Sequence, residues 1–167
     1  PILEARLEVQ ADFTPNVVDV WQSQHAIDWI KKWAAKAPGI IWTKHRALGY
    51  ILDKAGIPYY GSQAKRVSGS RGHIKHTAQA DGKSICASID ACGTGQNLQA
   101  WNRALIVGAP SSGDAWEQLL GSHHRDGQKN HVNVDILCGC VEDVKAVWED
   151  ALGRSHYASE ITGQSQK

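Results

Sequence analysis

No apolar run in this chain approaches the ~20 residues that would span a bilayer, and no signal-peptide pattern opens it. No membrane partner is therefore expected, and a cytoplasmic setting is the default expectation. An excess of charge is also lacking, since 18 Lys and Arg face 17 Asp and Glu for a net charge of +1. Nothing global then draws the chain to nucleic acid, and any such surface must be a local patch. Cysteine is scarce, with four (Cys86, Cys92, Cys138 and Cys140) in 167 residues. A chain long enough to bury a core does not need a disulfide framework, so these read as thiols. Cys86 and Cys138 fall in strand-like runs and are expected as small buried hydrophobes. Cys138-Gly139-Cys140 has neither the spacing nor the second pair of a thiolate zinc site, and His123, His124 and His131 do not supply one. No metal is expected. Met is absent altogether, which excludes nothing.

What is present is the patterning of one α/β domain over residues 1–167, with its core at about 17–152 and a polar tail at 153–167. Thr14-Pro15 is a helix start, and apolar residues at three- and four-residue spacing (Val17, Trp21, Ile27, Ile30, Trp33, Ala34) predict a helix to about Lys36. Ala37-Pro38-Gly39 stops it. Residues 39–43 read as a buried strand, a helix through Leu48, Ile51 and Leu52 ends at Gly56, and residues 57–60 form a second strand. Strand, helix and strand in this order make the crossover unit of a parallel sheet. Further strands are predicted at 85–89, 104–109 and 131–137, the last with one wetter face, and a final amphipathic helix at 140–152 uses Val141, Val144, Val147, Trp148 and Leu152.

Chemistry concentrates between residues 84 and 128. Both polar stretches there are expected at strand ends, where open α/β sheets hold ligands. Gly93-Thr94-Gly95 follows a strand and permits a sharp turn close to a ligand. Thr94, Gln96, Asn97 and Gln99 add hydroxyl and amide groups. If residues 114–120 are helical, Asp114, Gln118 and Gly121 or Ser122 share a face, with Arg125 beyond as a permanent cation suited to phosphate. His123 and His124 read as solvent-facing. Lys65, Arg66, Arg71, His73, Lys75 and His76 make the best local anion patch. Asp81-Gly82-Lys83-Ser84 imitates a P-loop, but Thr77 stands where its first glycine belongs, and a strand follows instead of a helix.

Taken together, Gly93-Thr94-Gly95-Gln96-Asn97-Leu98-Gln99 and the run from Gln118 to Gln128 resemble motifs V and VI of the C-terminal RecA-like domain of superfamily 2 helicases and translocases, in the Swi/Snf-like and phage or viral branches. Residues 39–60 resemble the motif IV region. The resemblance implies a RecA-like parallel sheet with helices on both faces, acting as the second lobe of an ATP-dependent DNA helicase or translocase. It implies that Arg125 and Gln118 serve catalysis, and that Gly93, Gly95, Asn97, Gly121 and Arg125 serve the nucleotide. Lys44, His45, Arg46, Thr94 and Gln99 would meet nucleic acid. ATP and Mg²⁺ would bind only when a first RecA-like lobe completes the site, in cis or in trans, and DNA would be the other partner. The setting would be host cytoplasm for a phage protein and the nucleus for a eukaryotic one.

Two departures set limits. Ser122 stands at the first arginine of motif VI and cannot neutralise a γ-phosphate, so an arginine there is expected to raise turnover. No P-loop or acidic metal-binding motif lies within these residues, so the chain is expected to be silent alone. The alternative is a degenerate RecA-like module that binds nucleic acid or protein without ATPase activity.

Overall fold

The computed structural model describes residues 24–61, 74, 82–93, 98–110, 112–124 and 128–139, together with residues 142, 145, 146, 148–150, 152 and 153. Helix α1 spans His25–Lys36 and buries Ile27, Ile30 and Trp33. It starts later than the spacing predicts, because Gln24 lies in a bend before it; Thr14, Pro15, Val17 and Trp21 lie outside the described residues. Asp28 in the first turn and Lys36 in the last match the helix dipole. The stop is as expected, since Ala37 is extended before Pro38. Strand β1, Ile40–Thr43, is buried at all four positions, as a strand covered on both faces must be. Helix α2, Arg46–Lys54, closes at Gly56, whose φ of 89° is the left-handed turn that glycine adopts without strain.

The remaining elements are β2 (Tyr59–Tyr60), β3 (Ile85–Ser88), the one-turn helix α3 (Ile89–Cys92), β4 (Arg103–Val107), α4 (Gly113–Gly121) and β5 (Asn133–Leu137). Ile89, expected in a strand, opens α3 instead, because the Ser88 hydroxyl accepts the Ala91 N–H at 3.4 Å and caps a helical turn. Ser112 caps α4 in the same way, accepting from Ala115 N–H at 3.3 Å. All strand pairs are parallel, in the order β2-β3-β1-β4-β5.

Alternate strand residues feed two cores, one on each face. On the first face Ile40, Trp42, Tyr60, Ile85, Ala87, Ala104 and Ile106 pack with Trp116 and Leu119 of α4, with Leu98 and Trp101, and with Ile74 from the basic segment. On the second, Ile41, Tyr59, Cys86 and Leu105 pack with α1 and α2. Helices on both faces of a parallel sheet make this a RecA-like α/β fold. β5 keeps the expected alternation only in part: Asn133 and Asp135 are exposed and Asp135 accepts the Trp33 indole N–H at 2.7 Å, with Arg103 stacked 4.2 Å above the Trp33 ring, but Ile136 on the face expected to be drier is exposed too. Three expectations are corrected. Cys138 is exposed, since it lies past the end of β5. Trp148 and Leu152 remain about half exposed, although Trp148 stacks edge-on against Trp116 at 5.9 Å. Among the described residues no helix is long and apolar enough to cross a membrane.

Candidate functional site

The chain leaves β1 towards α2 on the second face, while its neighbours β3 and β4 both lead to elements packed on the first. Divergence of adjacent connections opens a crevice at the carboxyl ends of the strands, the position where such sheets bind ligands. A cleft of about 190 Å³ lies there, lined by Lys44 and Arg46 after β1, by Ser88 at the end of β3 and Asp90 and Ala91 after it, and by Tyr50, Tyr59 and Gly61. Thr43 is fully buried and its Oγ1 accepts the His45 N–H at 3.0 Å, which fixes the turn that presents these cations. Lys44, His45 and Arg46 are all exposed.

His45 points to the other side of β1. A Cβ on Gly108, past β4, would stand 3.5 Å from its Nε2, and Gly108 has a φ of 80°. The turn therefore straddles both crevices beside β1. The cleft wall is aromatic, with Tyr50 stacked edge-on against Tyr59 at 5.9 Å. Burial first, and the nearby Cys86 second, push the Tyr59 phenol up, and a hydrogen bond with Ser88 offsets part of this. It stays neutral. Asp90 sits on the same rim and opposes a polyanion.

The second stretch sits elsewhere. Parallel β4 and β5 require a crossover, so α4 carries the chain back across the first face, and residues 122–132 lead to the amino end of β5. Here the segments of the two sequence motifs meet. Leu98 N–H donates to Ser122 O at 3.1 Å, and Gln128 Nε2 donates to Gln99 O at 3.0 Å and His123 O at 3.4 Å. Trp42 Nε1 of β1 donates to His123 Nε2 at 3.1 Å, and His123 Nδ1 faces Trp101 O at 3.1 Å. An indole N–H can only donate, so Nε2 is bare and Nδ1 carries the proton.

Of the residues singled out by sequence, Gln118 is exposed on α4 and Gly121 ends that helix, half buried. Gln99 is half buried within the clasp just described. Gly93 is buried, follows α3 and not the strand itself, and spends its N–H on Ile89 O at 2.8 Å. Thr94, Gly95, Asn97 and Arg125 lie outside the described residues, as does the basic segment from Lys65 to His76 apart from Ile74.

Two positions differ from expectation. Ser122, expected beside Gln118, is turned inward at 1% exposure and donates its hydroxyl to Leu119 O at 2.6 Å. His123, expected in solvent, is fully buried. Trp116, Leu119, Leu120 and His123 fall at i, i+3, i+4 and i+7, so the spacing that buries Trp116 and Leu119 and half buries Leu120 extends to the histidine. That is the signal a reading by residue type passes over.

The described residues do not by themselves suit a metal-bound triphosphate. Among them no three His, Cys, Asp or Glu side chains gather to hold a metal. Gly82-Lys83-Ser84 runs straight into β3, and Lys83 O accepts the Trp101 indole at 2.9 Å.

The chain matches no protein-family model and no curated protein. Its fold is similar to the crystal structure of the C-terminal part of the Fun30 ATPase domain, with a TM-score of 0.57 and 17% identity over 89% of this chain and 52% of that one. The chain thus spans about half of that structure, and the likeness is one of fold.

Proposed function

We propose that the chain is the second RecA-like lobe of an ATP-dependent DNA helicase or translocase, inactive until a first lobe joins it. The observation that supports this reading best is the hydrogen-bonded meeting of Leu98 and Gln99 with Ser122 and Gln128 on the sheet face, together with a cleft at the strand ends that Lys44 and Arg46 help to line. A lobe that couples a nucleotide to a tracked strand needs such a connection between its two working surfaces. In this reading Lys44, His45 and Arg46 hold phosphates of the DNA, with Thr94 and Gln99 near that path. Arg125, oriented by Gln118 and Gly121, brings permanent positive charge to the phosphates when the lobes close. Gly93, Gly95 and Asn97 link the two surfaces. Mg²⁺ and the triphosphate are held by the first lobe.

The buried Ser122 favours a second reading, a degenerate module that keeps the fold and binds DNA or protein without turnover. One experiment separates the two. ATP turnover is measured with and without DNA, on the chain alone and with a matching first lobe supplied in trans or fused ahead of Pro1. Turnover confined to the pair supports the proposal, and Arg125→Ala in that pair is then expected to lower kcat about 10³-fold with little change in ATP affinity. Turnover near ~1 s⁻¹ by the chain alone would remove the half-site reading. Silence of the pair, with binding to DNA or to the first lobe intact, selects the degenerate module.

A further inference from the structure

We propose that His123 is the positioning residue of the turn at 122–124, which precedes Arg125 in the chain, its neutral imidazole fixing that turn against the turn at 98–101. The proposal leans on the proposed function only for what Arg125 does.

The geometry is restrictive. His123 is fully buried between a donor on β1 and an acceptor before β4, the Trp42 indole N–H and the Trp101 carbonyl, each at 3.1 Å. Only the Nδ1–H tautomer satisfies both. The other tautomer sets N–H against N–H at Trp42 and lone pair against lone pair at Trp101, so both bonds fail together. An imidazolium keeps the Trp101 bond, loses the Trp42 bond and buries a charge.

The backbone on either side of His123 belongs to the same clasp. Ser122 O receives Leu98 N–H, and His123 O receives Gln128 Nε2. Gln128 in turn holds Gln99 O and, through its Oε1, the Asn130 N–H at 3.0 Å. The imidazole thus sits on the same short backbone as two of the bonds that tie the turns, those at Ser122 O and His123 O. From its packed elements His123 faces the Trp42 indole, the Trp101 carbonyl and the end of α4, and the titratable group acting on it is His124, exposed on its own turn. Burial chiefly, with His124 second in the same direction, pushes the His123 imidazole below its ordinary value against the opposing pull of Trp101 O.

The first test uses the isolated chain. ¹⁵N NMR of His123 is expected to show a bare Nε2 and a protonated Nδ1 well below the ordinary midpoint of about 6.5. The other tautomer, or an ordinary midpoint, overturns the proposal without any variant having to fold. Below about pH 6.5 the unfolded chain takes up this proton and the folded chain does not, so this share of stability is whole above that pH and declines as pH falls towards the depressed folded value. His123→Asn, which retains a donor near Nδ1, should flatten that slope.

Trp42→Phe and His123→Asn should speed amide exchange at 98–102 and 122–130 by about tenfold or more, with the amides of β1, β3 and β4 little changed. Uniform acceleration, or none, makes His123 merely structural and overturns the proposal. In the completed two-lobe protein the same variants should lower kcat by about tenfold or more and leave the Kd values for ATP and DNA within about twofold. Local opening with kcat unchanged also overturns it. A wild-type pair that never turns over ATP removes the proposed function instead, and the tautomer and exchange results still decide whether the clasp exists.

Discussion

Ser122 occupies the place of the first arginine in the motif it resembles, and its surroundings decide what an arginine there would do. At 1% exposure, with its hydroxyl on Leu119 O, it has no route by which a guanidinium reaches solvent without reopening the turn. Ser122→Arg is therefore expected to destabilise the chain by at least ~2 kcal/mol in urea or thermal unfolding, and not to raise turnover in the completed protein. A stable, faster variant would show that the turn rotates outward. This reverses the expectation from residue type alone. The sequence displays which residue stands at 122, but that it faces inward goes with the Leu98 N–H bonded to its carbonyl, distant in the chain and brought close by the fold. Lys44 and Arg46 were legible as cations after a strand, whereas Tyr50, Ser88 and Asp90, which complete their cleft, were not. They come from α2, from the end of β3 and from α3, and only the strand order makes these neighbours.

At the scale of elements, α2 shows how close packing overrides propensity. Gly49 lies in the middle of a nine-residue helix, where Ala should be favoured by ~1 kcal/mol. Yet a Cβ there would come within 2.6 Å of the buried Tyr59 ring. Gly49→Ala should cost about 1–2 kcal/mol net, read by chemical denaturation, and should loosen the cleft wall that Tyr59 forms. A stabilised variant would mean that the ring yields freely. Most elements were readable from spacing, because buried strands of a parallel sheet are short apolar runs and α1 and α2 have regular stripes. The failures lie at junctions. Ser88 ends its strand by capping a helical turn, which outweighs the apolar side chain of Ile89. Cys138 looked buried by analogy with Cys86, but one sits beyond an outer strand and the other within an inner one.

For the whole molecule a net charge of +1 makes DNA binding, if present, a matter of a few placed cations. Removing Lys44 or Arg46 should then lower the slope of log K against log salt for duplex DNA by about one each, measured by fluorescence anisotropy. An unchanged slope would move the contact elsewhere, with the basic segment at 65–76 the next candidate. Strand order also has a mechanical consequence. One wall of the cleft begins at Lys44, two residues from Trp42, and the other ends at Ala91, seven residues from Leu98. The Lys44 wall is thus held by two residues of chain to an indole that is itself hydrogen-bonded to the buried imidazole. So short a length of buried strand has little room to stretch, which makes the turn after β1 and the imidazole parts of one stiff unit.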